Sequence, residues 1–437
     1  MLNILRRYFW FPQTPKITTL KTNFLLLNLL LYFNIVAGQS SDIVNVPDAN
    51  FKNYLLGNGA INTNNDNEIQ VSEANLFSGK INCHSLGIQN LTGIEFFINL
   101  KELDCSKNSL TSIDVSKNVK LRSLTCGGNN LTDLDISSNL DLTTLSCNRT
   151  RIRSIDVTRN TKLNYLMIFD NRISSIDISN NVNLNHLWIQ QNNLTNLDVS
   201  NNTELRILSC ASNRIRGLNT SQNSKLITLV CSQNELESID TSNNPNLSFF
   251  SCGNNPINEL NLRNNRALKV LHCARTDIRD LDLSLNLNLE RLTCHGADLY
   301  SLNLKNGNNI KLTQLRAYNN PDLSCIQVDN LELIDNRPGW SVDDSATFNV
   351  QCTTASLFDL SFSNSIETTP NPVKDILSIG VEDFSKFKSC SIFNVTGQEI
   401  LKTKEILIDM SHLSKGIYIV KIMGIDKKVA IKKIFKS

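Results

Sequence analysis

Apolar residues in this chain recur in a fixed phrase. Leu-x-x-Leu-x-Cys appears at Leu100-Leu103-Cys105, Leu121-Leu124-Cys126, Leu205-Leu208-Cys210 and Leu289-Leu292-Cys294. The closing position steps by 21 residues, through Cys105, Cys126 and Cys147 and again through Cys210, Cys231, Cys252, Cys273 and Cys294. Ile168 and Ile189 hold the register between the two runs. An Asn follows three residues later, as at Asn108, Asn129, Asn171, Asn192, Asn213, Asn234 and Asn255. A second apolar triplet comes next, such as Ile113-Asp114-Val115 or Leu134-Asp135-Ile136, and a second Asn closes most units, as at Asn118, Asn139, Asn160, Asn181 and Asn202. Alternation at Leu-x-Cys predicts a short strand with Leu and Cys inward and their neighbours outward. One such unit cannot bury its own apolar face, whereas stacked coils bury a continuous core. The Asn residues suit turns whose backbone groups would otherwise lie unpaired. The register slips by two residues at Gly307-Asn308-Asn309 and resumes at Leu312-Leu315-Ala317.

This pattern resembles the leucine-rich-repeat family, and within it the internalin-like subgroup that carries Cys inside a 21-residue repeat. The resemblance covers roughly residues 81–323. It implies an α/β solenoid, curved, with a parallel sheet on its concave face. The nine Cys in register, counting Cys83, read as small buried hydrophobes. Stacked side chains keep their Cβ atoms at about the 4.8 Å coil spacing, against about 3.8 Å in a disulfide. A single inward column cannot surround a metal ion tetrahedrally either.

Both open ends of a solenoid need covers. Residues 39–80 predict a small helical N-terminal cap, with Phe51, Tyr54, Leu55 and Leu56 on an amphipathic stretch. Its loop fits an EF-hand frame: Asn62, Asn64, Asp66 and Glu73 fall at ligand positions 1, 3, 5 and 12, and Glu68 offers its carbonyl. Calcium is the cofactor this frame suggests; a helix-loop-helix cap without the ion is the alternative. At the other end, residues 324–353 predict a C-terminal cap in which Cys325 and Cys352 close a loop over the last coil.

The termini read as export signals. Lys16 and Lys21 precede the apolar run Phe24–Val36, and Val36-Ala37-Gly38 supplies small residues for cleavage, so residues 1–38 are expected to be a signal peptide. The run is shorter than the roughly 20 residues a span needs, and no transmembrane span is expected in the mature protein. After a polar linker at 354–365, residues 366–437 alternate in short strands, an all-β sandwich with Gly397 and Gly416 at turns. They resemble the type A sorting domain of the type IX secretion system of Bacteroidetes. The matching residues are Thr369-Pro370-Asn371-Pro372-Val373-Lys374-Asp375, Ile392-Phe393-Asn394-Val395-Thr396-Gly397, and Leu413-Ser414-Lys415-Gly416-Ile417-Tyr418. The resemblance implies passage through that machinery. It also implies removal of the domain, leaving the protein secreted or attached to the outer-membrane surface.

Net charge is +2 over 437 residues. Four bases in 1–38 and a surplus of four in 364–437 leave the middle at −6. No part is basic enough for a nucleic-acid partner. Five His, with no G-x-S-x-G, H-E-x-x-H or phosphate-loop pattern, offer no catalytic constellation. The outward strand residues are mostly small, with one exception. Tyr165, Met167 and Phe169 in one coil adjoin His186 and Trp188 in the next, and Ile207, Val230 and Phe249 extend the stripe. Such a patch reads as a binding face for a protein or glycan. A second group, His272, Arg275, Arg291, His295, Arg316 and Tyr318, is basic: it suits an acidic group or a solvated rim. The function expected is adhesion or ligand recognition. A secreted hydrolase and a structural surface-layer protein are the alternatives.

Overall fold

The computed structural model describes residues 42–334, 337–352, 366–381, 387–424 and 429–437. The expected signal peptide and the 354–365 linker lie outside the described residues. Within them the repeat forms a solenoid around a 13-stranded parallel sheet that runs from Lys80–Asn82 to Trp340–Ser341. Each strand is three residues long through most of the stack, with Leu or Phe at its centre buried. Adjacent strands pair in perfect repeat register, so Leu145, Leu166, Leu187, Leu208 and Leu229 form one inward row. Cys105, Cys126, Cys147, Ile168, Ile189 and Cys210 are fully buried just behind it. The opposite leg is turn rather than helix. Only near the C-terminal end does it pair into a second parallel sheet, Asp280–Asp282, Ser301–Asn303, Cys325–Gln327 and Thr347–Asn349.

The two Asn columns satisfy the turns. Asn129 Nδ2 donates to Cys126 O at 2.8 Å and to Cys105 O of the preceding coil at 3.0 Å, while its Oδ1 accepts from Leu110 N at 3.0 Å. In the second column Asn139 Nδ2 donates to Val115 O and Asn118 O, both at 3.0 Å. One amide thus bridges successive coils, which is why Asn recurs where any apolar residue would leave carbonyls bare. The aspartates of the second triplet make Asx turns: Asp135 Oδ1 accepts from Ser137 N at 2.8 Å and Asp198 Oδ1 from Ser200 N at 2.9 Å. Those backbone N–H groups hold both carboxyls below their ordinary range.

Helices Ala49–Leu56 and Val71–Leu76 cover the first coil, burying Phe51, Leu55, Ile61 and Ile69. Asp48 caps the first helix and reaches onward, accepting from Gln89 N at 2.7 Å and so tying the cap to the solenoid. At the far end Trp340 and Phe348 pack on the core, and Trp340 Nε1 donates to Leu312 O at 2.8 Å. Cys325 and Cys352 form a disulfide, with Cα atoms 5.8 Å apart. The tail has its own core, shared by a three-stranded and a four-stranded antiparallel sheet and centred on Leu377, Ile392, Val420 and Ile422.

Candidate ligand-binding face

Strand geometry turns the residues flanking each buried Leu toward the outer face of the long sheet. Register then sets Tyr165 beside His186 and Met167 beside Trp188. The rings of Tyr165 and His186 stack with centroids 4.5 Å apart and planes 14° from parallel. His186 and Trp188 stack in turn at 5.1 Å and 19°. Three rings from two coils therefore form one continuous stack. Tyr165 stands at its open end, 40 % exposed, while His186, Trp188, Met167 and Phe169 are half-buried. The half-burial comes from mutual packing on the sheet, since the inward Leu163, Leu166, Leu184 and Leu187 are fully buried beneath. Phe169 carries the Arg149 guanidinium 5.9 Å above its ring. Ile207 continues the row beside His186, and Phe249 stands two strands further on.

Two polar atoms in this cluster, His186 Nδ1 and Gln190 Oε1, are shielded from solvent and hydrogen-bond to nothing among the described residues. Burial, and after it the Arg206 charge, holds the His186 imidazole below its ordinary value of 6.5. At neutral pH the stack is therefore uncharged. Arg206 lies just before its strand, in an outward row that the Leu-x-Cys phrase does not mark.

The residues set in the EF-hand frame come together differently from a ligand shell. Glu73 Oε1 accepts from Thr63 N at 2.7 Å, Thr63 Oγ1 at 2.8 Å and Asn64 N at 3.2 Å, and Oε2 accepts from Gln70 N at 3.1 Å. Asp66 Oδ2 accepts from the Asn64 and Gln70 amides at 2.9 and 2.7 Å. Asn62 turns its amide nitrogen to Asp66 O at 2.9 Å, leaving its buried Oδ1 unpaired among the described residues. The Glu68 carboxylate pairs with Lys52 at 2.6 Å. Both loop carboxylates thus face N–H and O–H donors. This donor set fits a loop closed on itself better than a cation shell, because a calcium ion would have to displace the Asn64 and Gln70 amides from Asp66.

In the tail, Asn371 joins the first motif to the last strand. Its Nδ2 donates to Lys433 O at 2.9 Å and its Oδ1 accepts from Phe435 N at 2.8 Å. Pro370 and Pro372 flank it, and both follow cis peptide bonds. Gly397 takes a left-handed backbone, φ 84°, in the turn after Asn394. Gly416 opens the strand Gly416–Gly424 rather than sitting within a turn.

Residues 369–437 match the family model of the secretion system C-terminal sorting domain. Such a domain directs a chain to secretion or to attachment at the outer surface. Among the described residues no helix is long and apolar enough to cross a membrane. Two solved structures share the solenoid. One is the functional domain of InlJ from Listeria monocytogenes, which includes a cysteine ladder. It is 22 % identical with a TM-score of 0.53, and the match covers 91 % of this chain and 98 % of that one. The other is the internalin InlF from the same organism, 20 % identical with a TM-score of 0.52 over 72 % of this chain and 99 % of that one. The fold is therefore a parallel-sheet solenoid of leucine-rich-repeat type. No curated protein sequence matches the chain.

Proposed function

We propose that this chain is an exported recognition protein whose solenoid binds a protein ligand on the outer face of its long sheet. Tyr165, Met167, Phe169, His186, Trp188, Ile207 and Phe249 supply the anchor. The observation that carries the reading is the Tyr165–His186–Trp188 stack. It gathers large side chains where the fold's own apolar requirement is already met by the leucines underneath. A partner covering it gains about 25 cal/mol per Å² of apolar area, plus stacking with any aromatic group it brings. The tail delivers the solenoid through the secretion machinery and is then removed, leaving the binding domain released or attached outside the cell.

The test is an array of surface proteins and glycans probed with the full chain and with Trp188→Ala. Protein spots lost in the variant support the reading. Spots confined to glycans replace the protein ligand by a sugar, and spots that ignore the substitution remove the face from the function.

A further inference from the structure

The outer face changes character along the sheet. One row of side chains, paired strand to strand, reads Tyr165, His186, Ile207, Thr228, Phe249, Val270, Arg291 and Gln314. The next row passes through His272, Thr293 and Arg316. The face thus runs from stacked rings across an apolar strip to two guanidinium groups.

Those two groups have no carboxylate of their own. Among the described residues neither Arg291 nor Arg316 takes part in an ion pair, while Arg149, Arg216 and Arg263 each do. Arg316 is held instead by a neutral group: with its amide turned to satisfy both ends, Gln314 accepts from Arg316 Nε and Nη2 at 3.0 Å each. This fixes the guanidinium without cancelling its charge. Beside it His295 and Tyr318 stack at 4.8 Å, 8° from parallel, and the buried His295 Nδ1 has no partner among the described residues. Burial, then the neighbouring arginines, holds both His272 and His295 below 6.5, so the positive charge here belongs to arginine alone at neutral pH. At the opposite end of the same face stand Glu102 and Asp104.

We propose that Arg291 and Arg316 form an anion subsite for the carboxylate of an extended apolar peptide whose hydrophobic side chains lie along the row from Tyr165 to Phe249. This rests on the reading of the ring stack as the anchor. The spacing follows from the sheet. Five inter-strand steps separate the strand of Trp188 from that of Arg291, about 24 Å at the usual strand spacing. An extended chain covers that in about seven residues. Guanidinium and carboxylate match in shape as well as charge. A polyanion, nucleic acid or sulfated glycan, would lay its charges over Ile207 and Phe249. A neutral glycan would desolvate its hydroxyls against the same strip. The apolar row ending in arginine therefore favours a peptide.

The test uses the full chain and fluorescein-labelled octapeptides read by anisotropy. Each has phenylalanine first and valine at alternate positions, and ends in glutamate, glutamine or lysine with an amidated C-terminus. The glutamate peptide should bind about tenfold more tightly than the glutamine peptide, the effect of one charge-assisted hydrogen bond. Arg291→Gln and Arg316→Gln should each bring the glutamate-to-glutamine affinity ratio toward one. A wild-type protein indifferent to the last residue, or variants that keep the preference, would overturn the subsite even if Trp188→Ala still weakens every peptide. Failure of all three peptides, or displacement by a heparin hexasaccharide that binds more tightly, would overturn the peptide as occupant. The anchor itself is judged separately by the Trp188 array.

Discussion

Thr220 donates its hydroxyl to Asn244 Oδ1 at 2.9 Å inside the solenoid, and Thr241 serves Asn265 in the same way one coil on. In earlier coils the donor position is Val or Ile, and the Oδ1 atoms of Asn139, Asn160, Asn181, Asn202 and Asn223 are buried without a partner among the described residues. Val199 stands to Asn223 as Thr220 stands to Asn244, since each gives its carbonyl to that amide. An unpaired buried acceptor costs about 1–3 kcal/mol. Val199→Thr should therefore leave stability unchanged or raise it by about 1 kcal/mol, and Thr220→Val should lower it by a similar amount. Denaturant midpoints measure both. A Val199→Thr variant that loses more than about 1 kcal/mol, as an ordinary core Val→Thr does, would contradict the pairing.

The cysteine column should be chemically silent. Ten cysteines are free and buried, and burial pushes the Cys147, Cys210 and Cys273 thiols up to about 12 from an ordinary 9.0. A raised folded-state value means that the thiols' contribution to stability is complete below pH 9.0. It is lost as pH climbs from there toward 12. Melting temperature should fall over that window. A thiol reagent at pH 8 should find almost no groups in the native protein, ten in denaturant and twelve after reduction. Several reactive thiols in the native state would place the column outside the core.

The long sheet was legible in the sequence because its Leu, Cys and Asn markers each answer one steric demand, repeated at a fixed interval. The outward rows were legible by the same alternation, which put Tyr165 next to His186. What the alternation does not encode is ring orientation, so the stacking of His186 between Tyr165 and Trp188, and the half-burial it brings, emerged only from the structure. Arg206 was missed because it precedes the strand. The EF-hand frame rests on residue types and spacing, which do not encode the hydrogen bonds that Asn64 Nδ2 and Gln70 Nε2 give to the Asp66 carboxylate. The Thr220–Asn244 bond links side chains on neighbouring coils that look like an unremarkable Val-to-Thr drift along the chain.

Glu73 should hold the N-terminal cap without help from an ion. It accepts four hydrogen bonds from the loop and the helix start. Glu73→Gln should cost about 1–3 kcal/mol in the presence of a chelator. Calorimetric titration with calcium checks the alternative. Millimolar binding by the wild type that vanishes in Glu73→Gln would show that the loop reopens around the ion, and identical heats would leave the hydrogen-bonded cap alone.

Deleting residues 366–437 should leave the solenoid folded and trap it in the periplasm. Asn371→Ala should act more gently, loosening the two hydrogen bonds that fix the first motif to the last strand. Cell fractionation reads both. Normal surface appearance of the truncated chain would remove the tail from the export route.

The most direct test of the account is Trp188→Ala measured twice, for affinity toward whatever protein the wild type retains on the array and for thermal stability. Trp188 is half-buried against His186 and lies outside the leucine core. Affinity should fall by about 2 kcal/mol, roughly thirtyfold, with stability lower by no more than about 1 kcal/mol. Unaltered affinity, or a domain that unfolds, would contradict the assignment of this face as the binding site.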